Sequence, residues 1–248
     1  MKKAIIFLFI LFLAIDAQAE MTAEALVKKA FDYWRGEASV STIIMTIHRP
    51  DWERVMTLKA WTRGESDSLF VITKPAKDRG NGTLKVGKGM WMHNPKVNRV
   101  IKLPPSMMSQ SWQGSDFSNN DLAKSDSLIK DYVHTLEDTK IDEGKKIYFI
   151  KSMPKPEAPV IWGMIKLTIR EDNILLSESF FDEDLETVKI MTAWDIQMTN
   201  DRLFPLKWKM QKADVIDEYT LFGYEKVNFK KSLSKSIFTR TNLKNPGI

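Results

Sequence analysis

From about residue 38 the sequence repeats with a period of two, and it does so nearly to the C-terminus with one long break. Residues 40–48 are β-branched and alternating. In residues 54–63, Val55, Thr57, Lys59 and Trp61 alternate with Met56, Leu58 and Ala60. Pro50-Asp51 supplies turn chemistry between these two runs. Further extended runs cover 68–73, 83–86, and a hairpin of 90–93 and 97–103 around Asn94-Pro95. After the break they resume at 131–139, 145–152, 161–170, 174–181, 187–199, 203–212 and 215–228. Turns at roughly 8–12-residue spacing indicate an antiparallel meander. We expect about ten or eleven of these runs to be full strands of the sheet. Successive side chains of a strand point to opposite faces, so each run offers one face to a core. The cleanest alternation is Val188, Ile190, Thr192, Trp194, Ile196, Met198, matched by Leu206, Trp208 and Met210. Lys189, Asp195, Gln197, Lys207 and Lys209 lie between them and read as the solvent face.

A mainly β chain of this kind has few helices. Residues 22–35 form the clearest one: Thr22 is a plausible N-cap, Leu26, Ala30, Tyr33 and Trp34 fall near one face, and Gly36 is placed to end it. A second start signal is Ser118-x-x-Asp121, a capping box just before Leu122. An antiparallel sheet must cover its apolar face by closing into a barrel, stacking as a sandwich or curling around a helix. The simplest arrangement is a strongly curved sheet, with the first helix and those of the 105–130 region across its concave side.

The N-terminus reads as an export signal. Lys2 and Lys3 precede an apolar run over 4–15, and Ala17-Gln18-Ala19 is a small-x-small cleavage site. Twelve apolar residues are too few to cross about 30 Å of hydrocarbon. We therefore expect residues 1–19 to be a signal peptide cleaved near Ala19, and 20–248 to be one domain. The leader carries Lys2, Lys3 and Asp16, a net +1 of the whole chain's +5, which leaves +4. The chain has no cysteine, which excludes a disulfide framework, thiolate metal sites and a lipid-modified N-terminal Cys. Export without disulfides fits a periplasm. The lysines are scattered and no nucleic-acid motif is present, so a solvated basic surface is expected and no nucleic acid is a partner.

The break, residues 104–130, opens on Pro104-Pro105 and concentrates Met107, Met108, Trp112, Gly114, Asp116 and Phe117 without strand or helix period. Its aromatics argue for order, and an ordered loop of this length is usually functional. Catalysis finds no constellation here. His48, His93 and His134 sit in three different runs, none spaced for zinc. Ser115 and Asp116 are adjacent, so they cannot serve opposite ends of one imidazole in a triad with His93. Asp116, Asn119, Asn120 and Asp121 do not match a calcium loop and suit caps and turns. Residues 85–89 lack the spacing of a phosphate-binding loop. We expect no cofactor, no metal and no enzyme activity. What remains is apolar and soft, thirteen Met and eight Trp, the composition of an adaptable binding surface.

Three segments carry a family resemblance. They are Trp91-Met92-His93-Asn94-Pro95, then Arg99-Val100-Ile101-Lys102, then residues 111–122, Ser-Trp-Gln-Gly-Ser-Asp-Phe-Ser-Asn-Asn-Asp-Leu. Together with the leader, the first helix and the strand-rich second half, they resemble the LolA-like outer-membrane lipoprotein-sorting family. Gln113 stands where that family usually has Met. The resemblance implies an unclosed β-barrel, a half-pipe lidded by helices. It implies a periplasmic carrier that shields lipoprotein acyl chains or another lipid from water, with transient membrane contact. It implies an inner-membrane transporter of the resistance-nodulation-division type as partner. The expected apolar lining is Trp61, Trp91, Met107, Met108, Trp112, Phe117, Trp194 and Trp208. Gly114, Asp116, Ser118 and Asp121 are expected to shape the loop: Gly114 by a positive φ, Asp116 and Ser118 by satisfying free N–H groups. The rival is an accessory module with a filled interior, docking on a transporter or envelope complex.

Overall fold

The computed structural model describes residues 21–247. The expected leader and its cleavage position lie outside the described residues. The first helix, α1 (Ala23–Arg35), begins where Thr22 Oγ1 accepts the Ala25 N–H at 3.2 Å. It ends where the Gly36 N–H donates to the Asp32 carbonyl at 2.8 Å. Gly36 has φ +66°, and a Cβ there would stand 2.8 Å from the Phe229 ring, so both conformation and space demand glycine.

Six strands follow: β1 (Ala38–Arg49), β2 (Trp52–Arg63), β3 (Asp67–Lys74), β4 (Gly82–Val86), β5 (Gly89–Asn94) and β6 (Arg99–Lys102). After the break come seven more: β7 (Tyr132–Asp142), β8 (Lys145–Pro154), β9 (Met164–Arg170), β10 (Leu175–Phe181), β11 (Thr187–Thr199), β12 (Arg202–Lys212) and β13 (Tyr219–Lys230). All thirteen join one antiparallel sheet in the order β6-β5-β4-β3-β2-β1-β13-β12-β11-β10-β9-β8-β7. The count exceeds the expected ten or eleven because the short runs of β4, β5 and β6 each form a full ladder member. The first and last strands pair at the centre, Ala38 to Lys230 through His48 to Tyr219. β6 and β7 are left as the two edges, so the sheet is an open half-barrel. Residues 103–131, the one break in the alternation, connect those two edges.

Helix α1 lies in the concavity against β7, β9 and β10. Leu26, Val27 and Ala30 join Ile150, Ile165, Leu167, Ile169 and Met210 in one buried cluster. Each fully buried aliphatic side chain contributes about 1.5–3 kcal/mol. A second concave cluster gathers Met45, Ile47, Met56, Leu58, Ile72 and Trp112, and Phe222 packs against both.

A third cluster occupies the opposite face of β2–β4. Trp61, Leu69, Val71 and Leu84 are covered by Phe238 and Leu243, the latter in the short C-terminal helix α2 (Arg240–Lys244; two further short helices in the lid are labelled αL1 and αL2 below). The alternation of β2 forces this. Met56 and Leu58 face inward, so Trp61, three residues on from Leu58, faces outward. Trp61 and Trp91 therefore pack under the C-terminal segment, away from the concavity, which corrects their expected place.

The inward face of β11 is also the reverse of the expected one. Antiparallel partners share a face, and the register pairs Met191 with Met210, Ala193 with Trp208 and Trp194 with Lys207. Trp208 and Met210 are buried, so Met191 and Ala193 point inward with them. Ile190, Trp194 and Met198 are left on the outer face, Met198 68% exposed, while Lys189 is buried. The bulk of Trp208 opposite the small Ala193 makes this register fit. Both faces of β11 carry apolar residues, so the sequence alone favoured the longer set.

Leu243 is fully buried only five residues from the C-terminus. Leu243→Ala should cost about 2–5 kcal/mol by urea denaturation. A change under 0.5 kcal/mol would mean that the tail does not cover this face in solution.

Candidate functional site

The connection at 103–131 is built to hold its own shape. Ser111 and Ser118 form an isolated bridge, and the Trp112 N–H donates to the Phe117 carbonyl at 2.7 Å. Between them Gln113 (φ +55°) and Gly114 (φ +80°) turn the chain, the second as expected of glycine. Asn119 is buried, and its side-chain amide donates to the Met107 carbonyl at 2.9 Å. The Asn120 N–H donates to the Met108 carbonyl at 2.8 Å. Lid helix αL1 (Asn119–Ala123) starts with the expected capping box: the Asp121 N–H reaches Ser118 Oγ at 3.2 Å, and the Ser118 N–H reaches Asp121 Oδ2 at 2.6 Å. A second lid helix, αL2 (Ser127–Lys130), leads into β7.

Several polar contacts pin this lid to the sheet, among them Lys85 Nζ on β4 to Asp126 Oδ1 at 2.6 Å and Arg54 Nη1 on β2 to the Gln113 carbonyl at 3.2 Å. Trp112 Nε1 donates to Thr83 Oγ1 on β4 at 2.9 Å. Asp116 does not cap a turn as expected. Its side chain is 1% exposed and faces Arg49, whose Nη2 donates to Oδ1 at 3.0 Å and Nη1 to Oδ2 at 3.2 Å. Thr220 Oγ1 also donates to Oδ2 at 2.7 Å and accepts the Asp116 N–H at 3.0 Å. Arg49 and Thr220 belong to β1 and β13, so this contact ties the lid to the centre of the sheet. Lys189 on β11 adds an ion pair to Asp121 Oδ2. Asp116→Ala would remove the buried carboxylate that the Arg49 guanidinium, itself only 15% exposed, faces, leaving it the partly exposed Glu218 at 3.4 Å. We expect a loss of about 3 kcal/mol in chemical denaturation, and a smaller loss for Asp116→Asn. Equal, negligible effects would show that the lid anchors elsewhere.

Behind the lid lies a cavity of about 210 Å³. One water needs roughly 10–15 Å³, so this space exceeds a hydration site by an order of magnitude. Val27, Phe31 and Trp34 of α1 line it, with Trp112, Phe117, Leu122 and Leu128 of the lid and Ile165, Leu167, Leu175, Phe180, Met191, Trp208 and Met210 of the sheet. Trp112, Phe117 and Trp208, three of the residues singled out from the sequence, meet here. Phe117 stacks on Phe222 with centroids 4.8 Å apart, and Trp208 lies 6.0 Å from Trp34. Met108 instead packs into the cluster around Met45 and Met56. Met107 does not line the cavity, and its carbonyl and that of Met108 serve the lid's internal hydrogen bonds.

Sequence reasoning missed the polar residues of this cavity. Glu178 projects inward from β10, opposite Met191, and lines the space together with Asp121. Lys189, on the same face opposite Phe180, lies 4.9 Å from the Trp162 ring centroid and 5.3 Å from that of Phe180. Burial and then the nearby Asp121 carboxylate push the Glu178 carboxyl up to about 7, against the pull of Lys189. A charged residue inside an apolar strand face was the available signal, and the misassigned face of β11 concealed it.

The raised Glu178 carboxyl makes a pH prediction. Its ordinary value is 4.5, so between 4.5 and about 7 the folded chain holds a proton that the unfolded chain has lost. Stability contributed at this position is complete below 4.5 and falls as pH rises through 7. Glu178→Gln should match the parent near pH 4.5 and exceed it at pH 8, by on the order of 1–2 kcal/mol, discounted for the accessible part of the side chain. Melts across that range check it, and a parallel pair of stability curves would refute it.

Ser115 Oγ donates to the Trp112 carbonyl at 2.6 Å, and His93 Nδ1 lies 3.1 Å from the Gly80 carbonyl, so the two share no hydrogen bond. His134 contacts Ser152 Oγ at 2.8 Å, and His48 stacks on Tyr219.

A family model described as an uncharacterized protein matches residues 64–245. No curated protein matches the sequence. Among solved structures, a DUF1329 family protein from Desulfovibrio piger superposes with a TM-score of 0.78 at 20% identity, covering 90% of this chain and 100% of its own. A domain described as an outer membrane lipoprotein-sorting protein, from Vibrio parahaemolyticus, gives 0.77 at 16% identity over 90% of this chain and 98% of its own. A LolA superfamily protein from Nitrosomonas europaea gives 0.73 at 20% identity over 90% and 99%.

Proposed function

The chain belongs to the family of uncharacterized proteins matched over residues 64–245 and has the fold of the LolA superfamily, and on that premise we propose that it is a periplasmic carrier of lipoprotein acyl chains or another lipid. The observation that carries this reading is the apolar cavity of about 210 Å³ between lid and sheet. Burying a hydrocarbon chain there yields about 0.8 kcal/mol per CH₂, enough to hold a lipid with few specific contacts and without catalysis. An accessory module with a packed interior fits this open space less well.

Trp112, Phe117 and Leu122 of the lid form part of the cavity wall, so outward movement of the lid would widen access for a ligand. Release needs a state of lower affinity, supplied by transient membrane contact or by a partner that favours the open lid. The sequence resemblance points to an inner-membrane transporter of the resistance-nodulation-division type for that role.

Native mass spectrometry of the exported, purified protein tests the carrier reading, and lipid adducts are expected. Met191→Trp, which fills the cavity from β11, should lower occupancy at least tenfold at an overpacking cost of about 1–3 kcal/mol. If no lipid co-purifies and fluorescent acyl probes neither bind nor are displaced, the protein is not a carrier.

A further inference from the structure

The carrier reading leaves one end of the cavity unexplained. A space that merely sheltered hydrocarbon would gain nothing from carboxylates in its wall, and burying them costs free energy. Asp121 and Glu178 nevertheless both line it. The Asp121 side chain is 8% exposed; Oδ2 takes Ser118 and Lys189, while buried Oδ1 has no hydrogen-bond partner among the described residues. Glu178 stands on the neighbouring strand face, close enough for the Asp121 charge to act on it.

The cations nearby are already engaged. Lys189 is held by Asp121 and by the faces of Trp162 and Phe180, and it does not reach the cavity wall. Lys124 lines the wall but donates to the Pro159 carbonyl. Arg35 donates to the Gly64 and Asp67 carbonyls. Neither Asp121 Oδ1 nor the Glu178 carboxyl thus takes a hydrogen bond from these cations. With Glu178 ionised, Asp121, Lys189 and Glu178 sum to one negative charge, and the Lys124 and Arg35 of the wall are each turned to a backbone carbonyl.

Resting on the carrier reading, we infer that Asp121 Oδ1 and the Glu178 carboxyl form a head-group subsite for an amphiphile whose polar end donates hydrogen bonds, a hydroxyl or an ammonium, and that an anionic head is disfavoured. An acceptor pair in a low-dielectric wall is completed by a donor and repelled by a second carboxylate. The apolar remainder of the ligand would lie along Leu167, Met191 and Trp208.

Chain-matched probes test this. Dodecanol, dodecylamine and dodecanoic acid compete at pH 8 against a fluorescent apolar probe already bound to the full exported chain. The alcohol and the amine should displace it at concentrations roughly tenfold below the acid. Glu178→Gln should narrow that ratio to about threefold or less. Glu178→Met, which removes the polar group, should abolish the preference, and a parent-like circular dichroism spectrum with a cooperative melt separates lost recognition from a folding defect. Acid binding equal to or tighter than the alcohol overturns the subsite and leaves the carrier standing. Failure of every chain and of the probe to bind overturns both.

Discussion

The ion pair between Arg49 and Asp116 is the contact on which the architecture turns. Two guanidinium donors and the Thr220 hydroxyl converge on a carboxylate that is 1% exposed. It fixes the lid to β1 and β13, the two strands at the middle of the sheet. With the lid held there, Trp112 and Phe117 point into the space that α1 only partly fills. Lys189 of β11 then meets Asp121 of the lid. A charge pair this enclosed contributes position more than net stability, because desolvation offsets much of its Coulomb attraction.

The topology explains why a single long connection became the lid. The chain runs outward from the centre through β1 to β6, then must reach β7 at the far edge before returning to pair β13 with β1. A connection between the two edges of a curved antiparallel sheet crosses its open side. The same connection keeps the edges apart, so the half-barrel stays open. A cavity under a covering connection is the physical outcome. The outer face of β2–β4 has its own cover, the C-terminal segment, so the two apolar faces of this sheet region are buried by different parts of the chain.

The cavity combines an aliphatic and aromatic wall with a small polar end. Such a combination fits an amphiphile better than a plain hydrocarbon. The fold, shared with a LolA superfamily protein and a lipoprotein-sorting domain, is compatible with many ligands. In the inferred head-group subsite, Glu178 and Asp121 would make that choice.

Much of this was written in the sequence. Period-two alternation and turn chemistry located every strand, since local sterics and propensity act within a few residues. Thr22 and Gly36 bounded α1, and Ser118-x-x-Asp121 marked the start of αL1, because caps satisfy backbone groups three residues away. The positive φ of Gly114 was legible for the same reason. The tertiary structure alone decided which face of β11 points inward. Met191 and Ala193 compete with Ile190, Trp194 and Met198, and only the register against Trp208 and Met210 settles it. It alone decided which face of β2 lies inward, and so set Trp61 and Trp91 in the outer cluster under a C-terminal segment more than 140 residues distant. It alone assembled Asp121, Glu178 and Lys189, because a charged side chain in a strand carries no local signal of the partner it will meet across the sheet.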